Sequence, residues 1–430
     1  MEEPRSAPVL GRRRLLGWGG LAAAGVVAAG APLARTRLGH GGAPATLVAA
    51  DPATPADPAG RSARDRIPPD TLPGGAYDRY VAQLAAAGKF SGVVMLSHRG
   101  RTVLSRSYGM ADEEKRVANH ERTAFSLTSA GKPFHAVAVL QLAQRGKLRL
   151  SDPVGKHLTA LARDVAEKVT IHHLLSGTSG LRTPDEDVQR VFHSRDEVHR
   201  YYEQRARQTE LAGVPGVPTT THQEAEVTLP ALVVEAVTGT TYWDYVRKNI
   251  FERCGMTGAA FCTRSQWLTD ASIAHPYMTL ADGSQVDAVR HLDKGSARPE
   301  VLGKNPGRIF IDAPGDGGFA TAPDLIRFGF ALTDGTLLDR PWADVLTGPK
   351  IPHGPASFGA YGIPVSIVGG QWLFERAGGN PGVGANWDIY PDTGWVGVIL
   401  TNRDGAPLTE MIDRETQAIT GAAPSTGEGG

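Results

Sequence analysis

Cysteine is scarce in this sequence, and neither sign of charge is in excess. The 430 residues include two cysteines, Cys254 and Cys262, and 45 Lys and Arg residues against 45 Asp and Glu residues. Two cysteines cannot form the disulfide framework of a small secreted protein, so they leave a single bridge or, as we expect, two buried free thiols. The charges form no long run of one sign, which argues against a nucleic-acid partner. A small-molecule or peptide partner is expected instead.

The N-terminal segment has the layout of an export signal. Paired arginines, Arg12 and Arg13, precede a largely apolar run of Gly, Ala, Val and Leu from Gly17 to Ala34. This order is typical of the twin-arginine route, and the many glycines argue against the alternative of a buried N-terminal helix. Small residues after the run favour cleavage and release, although Arg35 and Arg37 would also suit an uncleaved membrane anchor. We therefore expect an exported protein, secreted or held in the cell envelope.

Composition divides the chain into four segments. Residues 1–34 form the signal, and residues 35–76, rich in Ala, Pro, Gly and Asp, are predicted to be a disordered linker. Residues 77–420 carry the apolar periodicity of a folded domain, whereas residues 421–430 resemble the linker and are predicted to be a tail. One large domain with two extensions is the expected organisation.

Strand-like segments stand at both ends of the domain, with helix-like segments between them. A hairpin is predicted from 93–96 and 102–108, and three further strands at 372–375, 385–390 and 395–401. The most apolar helical segment, 133–144, should be buried all round and be followed by Gly146 as a left-handed cap. Further helices are predicted at 230–237, with Pro230 in the first turn, 242–251 and 323–332. This order of elements favours an α+β fold.

The candidate chemistry lies in Ser129-Ala130-Gly131-Lys132, where the predicted buried helix begins. Residues three apart on a helix share one face, so the Lys132 amine can reach the Ser129 hydroxyl. A serine becomes a good nucleophile when a neighbour accepts its proton, and burial lowers the pKa of a lysine toward that role. The match alone is weak, because a serine cap followed by a solvated lysine has the same spacing. The apolar helix directly after Lys132 favours the buried catalytic pair.

Four segments around and beyond this pair carry a family pattern. They are TAFSLTSAGKPFHAVAVLQLAQRGKLRLSDP from Thr123 to Pro153, VTIHHLLSGTSGL from Val169 to Leu181, the VTG and CGM motifs within 235–256, and GGFATAPDL from Gly317 to Leu325. In this order they resemble the class C β-lactamase and esterase family, within the serine β-lactamase and penicillin-binding protein superfamily. The resemblance covers about residues 77–405. It implies an antiparallel sheet of about five strands from both chain ends, an inserted helical region, and Ser129 and Lys132 as catalytic residues.

The second motif of that family, Tyr-x-Asn, is replaced in this sequence. It aligns with His222 and Glu224, although another local alignment would place it on Thr221 and Gln223. Imidazole is a competent base near neutral pH, and a carboxylate beside Lys132 would hold the lysine in its charged form. We therefore hypothesise that His222 deprotonates the nucleophile while Glu224 keeps Lys132 charged. The alternative is that both are polar loop residues.

The third motif of the family, His or Lys followed by x-Gly on an inner strand, aligns with Arg376 and Gly378. Arginine stays protonated and can hold a carboxylate through two hydrogen bonds. A substrate with a free carboxylate, such as a peptide C-terminus or a β-lactam, would suit it; the alternative is a strand-end arginine in solvent. The resemblance also implies that the backbone N–H groups of Ser129 and Gly379 form the oxyanion hole.

These residues predict a serine hydrolase that forms an acyl-enzyme on Ser129 and releases it to water. An ester, a D-amino-acid peptide or a β-lactam would be the substrate. Two alternatives remain: transfer of the same acyl group to an amine or alcohol, as in transpeptidases, and a binding protein that kept the fold without the reaction. Adjacent His172 and His173 lack the spacing of metal ligands, so neither a metal nor another cofactor is expected.

Overall fold

The computed structural model describes residues 66–218 and 223–422. The predicted signal, most of the predicted linker and nearly all of the predicted tail lie outside the described residues. The last part of the predicted linker is folded: Pro69–Thr71 forms a 3-10 helix, and the buried Thr71 hydroxyl donates to Pro68 O at 2.7 Å. This turn contacts the C-terminal helix Leu408–Thr420. A single turn has no apolar repeat, so composition could not reveal that the domain begins before residue 77.

Eight strands form one antiparallel sheet that joins the two ends of the domain. In chain order they are β1 (Gly92–His98), β2 (Arg101–Tyr108), β3 (Ile351–Gly354), β4 (Ser357–Gly359), β5 (Pro364–Val368), β6 (Gln371–Asn380), β7 (Val383–Tyr390) and β8 (Trp395–Thr401). Their order across the sheet is β3-β4-β5-β6-β7-β8-β1-β2. The chain ends meet where β1 pairs with β8, with Val94 opposite Ile399.

The α+β fold is confirmed, but the expected number of about five strands was wrong. The five predicted strands correspond to β1, β2, β6, β7 and β8, and the predicted hairpin is β1–β2. The missed strands, β3 to β5, lie at one side of the sheet. Residues 351–368, which form them, contain three glycines and three prolines that interrupt the alternation by which a strand is recognised.

The helices lie mostly between the two groups of strands. They are α1 (Ala76–Ala86), α2 (Pro133–Gln144), α3 (Arg163–Lys168), α4 (Ile171–Ser176), α5 (Arg195–Arg207), α6 (Ala225–Thr238), α7 (Tyr242–Val246), α8 (Glu252–Cys254), α9 (Arg264–Thr269), α10 (Ala322–Ala331), α11 (Arg340–Thr347) and α12 (Leu408–Thr420). A π-helical turn, Arg247–Phe251, joins α7 to α8. No helix in the described part of the chain has both the length and the apolar character that crossing a membrane requires.

Shorter elements complete the described chain. Besides Pro69–Thr71, 3-10 helices lie at Thr128–Gly131, Val154–Lys156, Pro299–Val301 and Pro306–Arg308. Four small antiparallel pairs are formed by Met110–Asp112 with Val117–Ala118, Phe125–Ser126 with Phe319–Ala320, Leu181–Arg182 with Glu210–Leu211, and Tyr277–Thr279 with Gln285–Asp287.

The predicted helices are present, and one begins earlier than expected. Helix α2 has the predicted bounds, and Gly146 behind it has φ +67°, as expected for a left-handed cap. Helix α6 begins at Ala225, so placing Pro230 in its first turn was wrong. Proline removes one hydrogen bond from a helix interior, but residues 225–234 are all buried. The apolar surface that this packing removes from water outweighs the missing bond.

Helices cover both faces of the sheet. On one face, Trp387 of β7 donates from Nε1 to Ala130 O at 2.9 Å. On the other face, Tyr390 of the same strand belongs to the buried apolar cluster that contains Tyr77 of α1. Successive residues of a strand point to opposite faces, so β7 contributes to both layers. The 3-10 helix Thr128–Gly131, which contains Ser129, is thereby held against the first face, beside β6 and β7.

Both cysteines are free, as expected from their number. Cys262 is buried and Cys254 is half-buried. Burial raises the pKa of each thiol to about 12. Both thiols are therefore protonated at neutral pH and are poor nucleophiles.

Candidate active site

Ser129 and Lys132 lie at the junction between the 3-10 helix Thr128–Gly131 and α2. Lys132 Nζ lies 2.7 Å from Ser129 Oγ, at hydrogen-bonding distance. The lysine is only 7% exposed, although it is the last residue before the helix. The contact expected from the sequence is therefore present, and it lies in a site from which most water is excluded.

Two glycines allow neighbouring segments to approach this turn closely. A Cβ atom at Gly131 would clash with Gly317 O, which belongs to a loop at 312–318. A Cβ atom at Gly378 of β6 would lie 2.5 Å from Ala130 N. The 312–318 loop thus presses on one side of the nucleophile turn and β6 on another. A side chain at either position would push the turn away from its support.

Thr128, directly before the nucleophile, has an unusual backbone conformation. Its φ is +48°, in the left-handed region that β-branched residues rarely adopt. Its buried Oγ1 has no hydrogen-bond partner among the described residues. Such a conformation costs on the order of 1–3 kcal/mol and persists where the surrounding packing holds it. The packing of the 312–318 loop and β6 therefore also fixes the direction in which the Ser129 side chain leaves the turn.

Asp316 is the carboxylate that contacts Lys132. Its Oδ2 lies 3.6 Å from Lys132 Nζ, and its side chain is one third exposed. Burial lowers the pKa of Lys132, whereas Asp316 acts in the opposite direction and Arg376 adds to the effect of burial. The net direction is downward, so the neutral amine is more accessible than in a solvated lysine. Sequence reasoning missed Asp316, although it directly precedes the Gly317-Gly318 pair of the family pattern.

Glu224 forms no ion pair with Lys132 among the described residues, so the hypothesis that it keeps this lysine charged has no direct contact in its support. Its carboxylate forms an ion pair with Arg205 of α5 and accepts a hydrogen bond from the Thr228 hydroxyl at 2.6 Å. Burial raises the pKa of Glu224 to about 7, against the opposing effect of Arg205. Its charge still favours the ammonium form of Lys132, but less than the charge of Asp316 does. Arg205 belongs to a separate helix, so only the fold could reveal this pairing.

His222 lies outside the described residues, which resume at Gln223. Its expected role as the base for Ser129 therefore stays a prediction.

Arg376 is half-buried beside the nucleophile turn and is not a solvated strand-end residue. Its Nε donates to Ser129 O at 3.0 Å, so the guanidinium supports the backbone of the turn. Burial lowers the pKa of Arg376, and the charges of Asp316 and Glu375 oppose that change. The structure shows no hydrogen bond from the two Nη nitrogens to any described residue. These nitrogens retain donors for a ligand.

Gly379, the expected oxyanion-hole residue, follows Gly378 on the same strand. It pairs with Gly384 of β7, and no atom lies within 3.6 Å of the position that its Cβ would take. This space contrasts with the tight packing at Gly378. A reacting carbonyl group could therefore approach the strand at Gly379 and not at its neighbour.

His172 and His173, both in α4, form hydrogen bonds that have a structural role. Thr170 N donates to His173 Nδ1 at 3.2 Å, and the Thr170 side chain accepts from His173 N, which forms a capping box. His172 Nδ1 lies 2.7 Å from the Tyr361 hydroxyl. His173 therefore caps the start of α4. Within residues 66–218 and 223–422, no group of three or more His, Cys, Asp or Glu side chains is placed to hold a metal ion.

Comparison with known proteins agrees with this geometry. Residues 77–421 match the family model for beta-lactamase, so the chain belongs to the beta-lactamase family. PbpX of Bacillus subtilis (strain 168), which is named as a penicillin-binding protein, is 29% identical over 296 residues. This match covers 66% of the chain and 63% of PbpX. Esterase EstB of Burkholderia gladioli is 41% identical over 93 residues, which cover 21% of the chain and 24% of EstB.

Solved structures show the same fold. The penicillin binding protein from Bacillus halodurans aligns with a TM-score of 0.64 at 26% identity, over 75% of this chain and 94% of that structure. The resemblance to the serine β-lactamase and penicillin-binding protein superfamily is therefore confirmed. The matched regions span less than two thirds of the length of PbpX and of EstB.

Proposed function

We propose that the chain is an exported serine hydrolase that passes an acyl group from its substrate to Ser129 and then to water. The observation that carries this proposal is the 2.7 Å contact between Lys132 Nζ and Ser129 Oγ in a nearly buried site. Membership of the beta-lactamase family and the similarity to an esterase support the reaction class. The paired arginines and the apolar run within residues 12–34 support export.

Acylation begins with transfer of the Ser129 hydroxyl proton to the neutral amine of Lys132. The Oγ atom then bonds to the carbonyl carbon of the substrate, and the backbone N–H groups of Ser129 and Gly379 stabilise the oxyanion. When the carbonyl re-forms, the bond to the leaving group breaks and the Lys132 ammonium protonates that group. In the second half, water gives a proton to Lys132 and attacks the acyl carbon. Ser129 leaves with that proton, and the acid is released.

Lys132 is a better-supported base than His222. Lys132 already contacts the nucleophile, and burial lowers its pKa toward the working range of a base. The histidine hypothesis relied on Glu224 keeping the lysine charged, but Glu224 forms its ion pair with Arg205. We therefore assign proton transfer to Lys132.

The substrate class follows from Arg376 beside the nucleophile. Its Nε supports the Ser129 carbonyl oxygen, and its two Nη nitrogens keep hydrogen-bond donors next to the site. These donors and the guanidinium charge suit a carboxylate on the substrate. We therefore propose an ester, a D-amino-acid peptide or a β-lactam with a free carboxylate near the scissile carbonyl.

Mass spectrometry after exposure to a fluorophosphonate and to a penicillin tests this function. We expect each probe to form one adduct, on Ser129. Ser129→Ala should abolish this adduct. Ser105→Ala, a change on β2 away from the site, is the control and should leave the adduct in place. Arg376→Gln should slow acylation by the penicillin, which has a carboxylate, about tenfold more than labelling by the fluorophosphonate.

The outcomes separate the two parts of the proposal. A wild-type protein that neither probe labels would refute the acyl-enzyme and favour a binding protein. Equal losses with both probes in Arg376→Gln would refute the carboxylate site and leave the acyl-enzyme intact.

A further inference from the structure

The 312–318 loop is fixed at both ends against the catalytic elements. Gly318 N donates to Asp312 Oδ2 at 2.9 Å, which closes the loop on itself. The buried His135 of α2 lies with Nδ1 3.0 Å from Gly315 O. A rigid loop that is bonded to the helix of Lys132 can hold a charge at a constant distance from that lysine.

Asp316 is oriented toward Lys132 by its own neighbour. Gly317 N donates to Asp316 Oδ1 at 2.9 Å, so the other carboxylate oxygen, Oδ2, is left to face the Lys132 amine at 3.6 Å. The side chain is one third exposed, so its charge is only partly removed from solvent. The carboxylate and Ser129 Oγ thus approach the same amine.

Few other charges act on this amine. Besides Asp316, the described groups that face Lys132 are Arg376 of β6, Glu224 and Glu226 beside or within α6, and His135 of its own helix. Glu224 is paired with Arg205, and Glu226 accepts a hydrogen bond from the Ser179 hydroxyl at 2.5 Å. Asp316 is the one described carboxylate that forms an ion pair with Lys132.

We propose that Asp316 is a positioning residue, whose carboxylate holds Lys132 Nζ on Ser129 Oγ and sets the pH at which the lysine can act as a base. This inference rests on the proposed acyl-enzyme function. It goes beyond that function because it assigns the balance between charged and neutral lysine to a residue outside all three motifs.

The direction of the expected change follows from the charges. Burial lowers the pKa of Lys132, and the negative charge of Asp316 opposes that effect. Asp316→Asn removes the charge, so the pKa of Lys132 should fall further and the neutral amine should be available at lower pH. In a plot of the labelling rate against pH, the acidic limb is the range in which the rate rises as Lys132 loses its proton. This limb should therefore shift to lower pH by about one unit or more, as expected for loss of an adjacent opposite charge. The plateau rate should also fall, because the amine is held less firmly.

The rate of Ser129 labelling by a fluorophosphonate, measured by mass spectrometry from about pH 5 to about pH 10, tests the inference. Asp312→Asn is the matched control, since it makes the same change in the same loop at a carboxylate that bonds to Gly318 N. Its acidic limb should stay at the wild-type pH. Asp316→Glu keeps the charge, so the acidic limb of its labelling rate should lie at nearly the same pH as in the wild type. Thermal unfolding shows that each variant is folded.

Each outcome decides between the hypotheses. A limb that stays at the wild-type pH in Asp316→Asn, with a rate lowered equally at every pH, would overturn the inference and make Asp316 a loop support. An equal shift in Asp312→Asn, or a shift in Asp316→Glu as large as in Asp316→Asn, would overturn it as well. A wild-type protein that is not labelled at any pH would instead refute the acyl-enzyme itself.

Discussion

Two buried carboxyl groups face each other behind the sheet, on Asp388 of β7 and Glu415 of α12. Neither residue is exposed to solvent, and the Tyr77 hydroxyl donates to Glu415 Oε2 at 3.1 Å. Burial raises the pKa of Glu415 to about 7, and burial together with Glu415 raises the pKa of Asp388. The pair therefore keeps a proton in the folded state. Glu415→Gln supplies a permanent donor of the same shape and is expected to stabilise the protein above neutral pH.

The magnitude follows from the pKa of Glu415. Its usual value is 4.5 and its folded value is about 7, and one pKa unit corresponds to about 1.36 kcal/mol, so the effect is about 3 kcal/mol. Below about pH 4.5 the group is protonated in both states and its contribution to stability is fully present. As pH rises through about 7, the Glu415 carboxyl is already ionised in the unfolded state but resists ionisation in the folded state. Its contribution to stability is therefore lost. The glutamine variant cannot ionise and should keep it.

Urea unfolding followed by tryptophan fluorescence, at pH values from about 4.5 to about 8.5, measures this effect. The free energy of unfolding of Glu415→Gln should nearly equal that of the wild type at the lowest pH and exceed it by about 3 kcal/mol at the highest. Glu410→Gln, on the same helix with a side chain 53% exposed, is the matched control and should show no such difference. If Glu415→Gln follows the pH slope of the wild type, or if the control gains as much, the shared proton does not exist.

Two further predictions concern packing and export. Gly131→Ala should destabilise the protein by about 1–3 kcal/mol and slow fluorophosphonate labelling, because the new Cβ would clash with the carbonyl of Gly317. Gly354→Ala is the control: no atom lies within 4 Å of the position of its new Cβ, so neither the thermal unfolding nor the labelling should change. A Gly131→Ala variant with wild-type stability and labelling would contradict the close packing. Replacing Arg12 and Arg13 by lysine keeps the charge but should retain the protein in the cytoplasm of a bacterium with the twin-arginine route, as fractionation and immunoblotting measure. Unchanged export would exclude that route.

Regular elements could be predicted from the sequence because their apolar patterns repeat. Helix α2 has the predicted bounds, since an apolar run of this length with almost no polar face is typical of a buried helix. Strands β7 and β8 were predicted because their residues form short, largely apolar runs, and all of these residues are buried. Strands β3 to β5 and the early start of α6 were missed, because there proline and glycine signal a break that burial and strand pairing override.

The candidate site divides in the same way. Ser129 and Lys132 lie three residues apart, so helical geometry alone brings them together, and the 2.7 Å contact agrees with that expectation. The partner of Glu224 could not be predicted, because Arg205 reaches it from α5, a separate helix. The position of His222 stays a prediction, since the described residues exclude it.

Features built from residues close together along the chain could be predicted from local patterns: the nucleophile and its lysine, the buried helix behind them, the strands with clear alternation and, through its motifs, the family. Which carboxylate meets Lys132 depends instead on how the chain packs. Three candidates, Glu224, Glu226 and Asp316, are separated from the lysine by about 90 residues or more, and their distances depend on how the helices and the 312–318 loop pack. Charge interactions fall off over a few ångströms, and a sequence contains no such distances.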